Sequence, residues 1–118
     1  MKSLYERLGG TEGITAIASD LIDIHVANPV IAPRYASSDL AKVKHAAATF
    51  FVSGTGGPNV YDGKDMLAAH KGMNISNDEF VAFLDDALAA LVQNGIGQSE
   101  KEEVLSVFFS MKGDIVHV

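Results

Sequence analysis

The sequence predicts an all-α fold, and three observations carry that prediction. Apolar residues recur at helical spacing almost throughout, with no alternating run long enough for a useful strand. Ser or Thr followed three residues later by Glu, the spacing of a capping box, occurs at Ser3–Glu6, Ser76–Glu79 and Ser99–Glu102. Gly and Pro concentrate between the periodic stretches rather than inside them. The chain has 118 residues, enough for one domain with a real core, so a single domain over residues 1–118 is expected.

The elements follow in order. Ser3 and Glu6 open a short first helix that Gly9-Gly10 ends. Thr11 is the expected cap of a second helix, with Ile14, Ile17, Ala18, Leu21 and Val26 on its inner face and Pro29 just beyond its end. Residues 30–36, VIAPRYA, read as a turn. Asp39 caps a third helix that turns Leu40, Val43, Ala47 and Phe50 inward and runs into SGTGGPNVYDG (53–63), which is irregular. The segment around His70 forms a brief fourth helix. Ser76–Glu79 starts a strong helix carrying Phe80, Phe83, Leu84, Ala87, Leu88 and Leu91 inward, stopped by Gly95. Ser99–Glu102 starts the last, with Val104, Leu105, Val107, Phe108 and Met111.

Composition removes several functions. A net charge of −6 argues against binding nucleic acid or an anionic membrane through bulk charge. With no cysteine there is no disulfide, thiolate metal site or Cys nucleophile, which fits a reducing, cytoplasmic setting. No signal peptide is legible in MKSLYERLGG, and no apolar run reaches the roughly 18 residues of a membrane span. The serines and threonines sit in no nucleophile elbow, and GTGG (54–57) is not a phosphate loop. Asp85-Asp86 and Glu100, Glu102 and Glu103 read as solvated helix surface rather than a paired acid–base site.

The histidines are more informative. His25, His45, His70 and His117 share no i, i+3 or i, i+4 spacing, so no multi-histidine metal site forms on one helix face. His70 lies among Met66, Leu67, Ala69 and Met73 without an adjacent carboxylate. In such company it is either a satisfied core histidine or a ligand to something not encoded in the chain. Haem asks for one axial imidazole and an apolar slot, and an all-α chain with one well-buried histidine suits that demand.

LYERLGG (4–10), the Asp39-capped helix with Lys42 and Phe50, the glycine pair 56–57, YDGKDMLAAHK (61–71) and the closing KGDIV (112–116) together resemble the group I truncated haemoglobins. The resemblance runs without gaps from Leu4 to Lys71, more loosely through the Phe80 helix, and is shorter than typical between Lys71 and Phe80. It implies a globin-like, two-over-two helical sandwich around haem b, with His70 as the proximal iron ligand. It places Tyr35, Phe50, Tyr61, Met66 and Phe83 against the haem, and Lys42 and Lys64, with Arg34 as a third candidate, toward the propionates. The ligand side departs from the family. The usual tyrosine is Ile22, the assisting glutamine or histidine positions are Val43, Ala46 and Ala47, and the usual stacking phenylalanine is Tyr35. A lost hydrogen bond of roughly 1.5–3 kcal/mol corresponds to about a ten- to hundredfold weaker hold on dioxygen. Tyr35 either restores one donor or stacks with its hydroxyl in solvent. His45 is the alternative sixth ligand at the pocket edge, and His25 is expected one turn away from the iron.

The resemblance therefore implies reversible binding of O2, CO and NO. Two alternatives stay open: nitric-oxide dioxygenase or peroxidase-type turnover with electrons from an external reductase, and a haem-free interaction or sensor module.

Overall fold

The computed structural model describes residues 2–118; Met1, the first residue of the expected domain, lies outside them. Helix α1 (Leu4–Arg7) is capped by Ser3, whose Oγ accepts from the Glu6 amide at 3.2 Å. Helix α2 (Gly10–Ala27) begins two residues earlier than expected, on Gly9 in a left-handed conformation (φ 98°) and without a side-chain cap. Thr11 is not its cap: the Thr11 hydroxyl pairs with the Tyr5 hydroxyl at 2.6 Å, tying α2 back to α1. Residues Ala32–Tyr35 form a single 3-10 turn.

Helix α3 (Leu40–Gly54) starts on Asp39, whose carboxylate accepts from the amides of Ala41 and Lys42. Helix α4 (Met66–His70) starts on Asp65, which accepts from the Ala68 amide at 2.8 Å. Helix α5 (Asn77–Gln93) opens on the full Ser76–Glu79 capping box. Helix α6 (Gln98–Ser110) starts on Gly97 without a side-chain cap, so the Ser99–Glu102 spacing does not form the expected box. No strand is assigned among the described residues, only an isolated bridge between Ile75 and Val116.

The core joins α1, α2, α3, α5 and α6 through Leu8, Ile14, Ile17, Leu21, Val52, Ala87, Ala90, Leu91, Val104 and Phe108. Leu88 departs from its expected inward place, being 38% exposed, because one face of α5 already fills this core through Ala87, Ala90 and Leu91. Between α1 and α6, Arg7 forms a bidentate pair with Glu103. No described helix is long and apolar enough to cross a membrane.

Candidate functional site

Beside this core lies a cavity of about 500 Å³. Cofactor sites have this size and this mostly apolar lining. Its walls come from α2 (Leu21, Ile22, His25), the 3-10 turn (Arg34, Tyr35), α3 (Val43, Ala46, Ala47, Phe50), α4 (Met66, Ala69, His70) and α5 (Glu79, Phe80, Phe83), with Tyr61 from the loop before α4. The loop is irregular but not loose. The Ser53 hydroxyl accepts from the amides of Val60 and Tyr61 at 3.0 and 3.1 Å, and Tyr61 donates its hydroxyl proton to the Lys64 carbonyl at 2.6 Å. Tyr61 in turn meets Phe50 edge-on, with ring centroids 5.1 Å apart.

His70 ends α4, and its Nδ1 lies 2.8 Å from the Met66 carbonyl one turn back. A carbonyl only accepts, so Nδ1 carries the proton and Nε2 keeps its lone pair. Among the described residues nothing hydrogen-bonds that Nε2. The result is an oriented imidazole, free at one nitrogen, on the wall of an apolar cavity. No group of three or more His, Cys, Asp or Glu side chains capable of holding a bare metal ion occurs among the described residues. This donor set suits a metal that brings its own equatorial ligands, which is the demand of a porphyrin iron.

The sequence-derived candidates divide clearly. His70, Tyr35, Phe50, Tyr61, Met66 and Phe83 line the cavity, as do Ile22, Val43, Ala46 and Ala47. Lys42 and Lys64 do not: both are exposed and neither contributes to its wall. The guanidinium at the wall belongs to Arg34. It donates to both Glu79 oxygens at 2.7 and 2.9 Å and to the Met73 carbonyl at 3.0 Å. His45 is exposed and outside the lining.

One correction concerns a pair. Asp86 is not solvated surface but 7% exposed, and it faces His25, which at 2% exposure lines the cavity. His25 Nδ1 is 2.7 Å from Asp86 Oδ2, and the Asn28 amide donates to both Asp86 oxygens at 3.1 and 3.2 Å. The His25 ring stacks on Tyr35 with centroids 6.0 Å apart and planes 13° from parallel, and tilts against Phe83. Burial lowers the His25 pKa, outweighing the upward pull of Asp86. Burial also raises that of Tyr35, which therefore keeps its hydroxyl proton. The pair joins residues 61 positions apart, so no local motif announces it; its only sequence signals are a histidine on the inner face of the second helix and an aspartate beside the inward-facing Ala87.

The Arg34 guanidinium holds the Glu79 carboxyl down to about 2, chiefly through their hydrogen bonds. Since that value lies below the ordinary 4.5, the pair's stabilisation is complete above pH 4.5 and is lost as pH falls toward 2. Acid titration followed by far-ultraviolet circular dichroism should show a component in this window that Arg34→Gln removes. Identical acid profiles for the two proteins would show that the pair contributes nothing.

A model of the bacterial-like globin family matches residues 3–117. The chain is 30% identical to the group 1 truncated haemoglobin of Synechocystis sp. over 91% of its length and 90% of that protein's. It is 28% identical to the group 1 truncated haemoglobin of Tetrahymena pyriformis, covering 98% of this chain and 95% of that one. The crystal structure of the Tetrahymena pyriformis truncated haemoglobin in its Fe(III) form superposes with a TM-score of 0.95 at 27% identity, over 99% of this chain and 100% of that one. A bacterial-like globin match over nearly the whole chain, a relative at 30% identity and the shared helical architecture lead to one conclusion: the chain belongs to the truncated haemoglobins, group 1.

Proposed function

We propose that this globin carries haem b, with His70 as the proximal iron ligand, and reversibly binds O2, CO and NO on the opposite face. The observation that carries the reading is the Nδ1 contact of His70 with the Met66 carbonyl, which leaves Nε2 as a lone-pair donor on an apolar wall. Such a contact fixes the ring's orientation and makes the free nitrogen more basic. The iron, when bound, supplies reversible coordination of diatomic gases. The chain would hold the group through the His70 imidazole and present Phe50, Met66 and Phe83 to the macrocycle. The absorption spectra of the ferric, ferrous and CO-bound forms test this reading. A Soret band that shifts between the three forms supports it, and a chain that takes up no haem on titration overturns it.

On the ligand side Ile22, Val43, Ala46 and Ala47 offer no hydrogen-bond donor, and Tyr35 is the candidate that does. Among the described residues no side-chain hydrogen bond engages the Tyr35 hydroxyl, which is not fully buried. Its proton is therefore available to a bound ligand. Tyr35→Phe should speed dioxygen release about tenfold, while Ile22→Tyr should slow it by about ten- to hundredfold, the worth of one hydrogen bond to a charged acceptor. Both rates come from stopped-flow displacement of dioxygen. Haem affinity stays nearly constant in Tyr35→Phe because the ring remains. If neither substitution alters the rate, the proposed ligand side is wrong. Rapid dioxygen release favours gas sensing or nitric-oxide chemistry over storage, with an external reductase returning oxidised iron to the ferrous state.

A further inference from the structure

The His25–Asp86–Asn28 cluster is not needed to fill the core, where a leucine or phenylalanine at position 25 packs at lower cost than a buried ionisable pair. Its geometry is directional. Asp86 accepts from Asn28 Nδ2 on both oxygens and faces His25 Nδ1 at 2.7 Å, so the ring proton lies on Nδ1 and points at the carboxylate. Every fully buried side-chain nitrogen or oxygen among the described residues has a partner, yet nothing engages His25 Nε2. That nitrogen therefore retains access to the cavity its side chain lines. Tyr35 and Phe83 hold the ring on its faces.

We propose that His25, aligned by Asp86 and Asn28, is the cavity's proton acceptor for small protic ligands of the type H–X, such as hydrogen peroxide, hydrogen sulfide or hydrogen cyanide. The step is a heterolysis without redox change. The H–X bond breaks, the proton moves to His25 Nε2, and the electron pair stays on X, which enters as the anion suited to a ferric centre. Charge then balances locally, because the imidazolium that forms already faces the Asp86 carboxylate. The other charged side chains near the cavity are committed elsewhere. Arg34 and Glu79 pair with each other, Lys44 on α3 pairs with Asp23 at 2.8 Å, and Tyr35, Tyr61 and His70 are the remaining titratable groups on the wall. Burial keeps His25 neutral before the ligand arrives, which is the form an acceptor requires. A neutral acceptor of this kind gives nothing to dioxygen or CO, which bring no proton. His25 thus separates protic from aprotic ligands, while Tyr35 serves the aprotic ones.

The inference rests on the haem reading, and its test keeps the two apart. Cyanide, present as hydrogen cyanide at neutral pH, is the probe, added to the ferric holoprotein. Stopped-flow mixing followed at the Soret band gives the binding rate as pH is lowered from neutral. In the wild type the rate should fall with acid, since a protonated His25 accepts nothing. His25→Gln and Asp86→Asn should each bind cyanide about a hundredfold more slowly at neutral pH, the usual worth of a positioned acid–base group, and His25→Gln should lose the acid limb. Asp86→Asn preserves size and a hydrogen-bond partner, so it answers the question even if His25→Gln folds poorly. Nitrogen-15 spectra of the CO-bound protein give an independent reading, with an unprotonated Nε2 expected at His25. A normal Soret band with unchanged cyanide rates in both variants, or a protonated Nε2, overturns the proton-acceptor role and leaves the haem reading standing. A protein without a Soret band overturns both.

Discussion

His70→Gly should yield a folded, helical protein whose haem affinity has fallen by at least about a hundredfold, since loss of a mere outer partner of a metal ligand already costs 10–100-fold. The fold survives because no residue of α4 is buried in the core, and His70 is its last helical position. Added imidazole should recover part of the Soret absorbance by occupying the vacated space. Haem titration followed at the Soret maximum measures the loss, and circular dichroism confirms the helices. Full haem retention with an unchanged ferrous spectrum would remove His70 from the iron.

Gly13→Ala should destabilise the chain by about 2–3 kcal/mol, although alanine normally stabilises a helix over glycine by about 1 kcal/mol. The sign reverses because a Cβ at position 13 falls 2.2 Å from the Leu8 carbonyl oxygen and 3.1 Å from its carbon. Both atoms are backbone, so no side-chain rotation relieves the clash; α1 and α2 must part at a residue buried in the core. Thermal melting should fall by about 10–20 °C for a domain of this size. Gly54→Ala is the matched control, since a Cβ there meets nothing within 4 Å in the last position of α3. Equal melting temperatures for the two variants would show that the α1–α2 junction yields without cost.

The helices were legible because their signals are local. Asp39 and the Ser76–Glu79 box cap where their spacing says they do, and the 3.6-residue period puts Ile14, Ile17, Ala18, Leu21, Phe80 and Leu91 inside. Two expected caps differ: the Thr11 hydroxyl bonds Tyr5 instead, and α6 starts on Gly97, before Ser99. His70 could be singled out from its apolar neighbours and the surrounding motif. Lys42 and Lys64 could not be placed, because a long charged side chain reads the same on a cavity rim and on an open surface. His25–Asp86 was lost for a different reason. An acidic dipeptide at 85–86 looks solvated, and only the packing of α2 against α5 shows that its second member faces a histidine 61 residues away.

Helix α4 has five residues, too few to persist without neighbours, and its surroundings are slight. Its far side is held by the chain's last segment, where Gly72 donates its amide proton to the Val118 carbonyl and His117 donates its own to Ile75. The packed core, by contrast, draws nothing from residues 61–74. Amide hydrogens from Leu67 to Met73 should therefore exchange within a brief opening of that flap, while those of Leu21 and Leu91 wait for global unfolding. Under the haem proposal, a planar cofactor that enters past this segment has its loading and loss timed by one short opening and not by the lifetime of the whole fold.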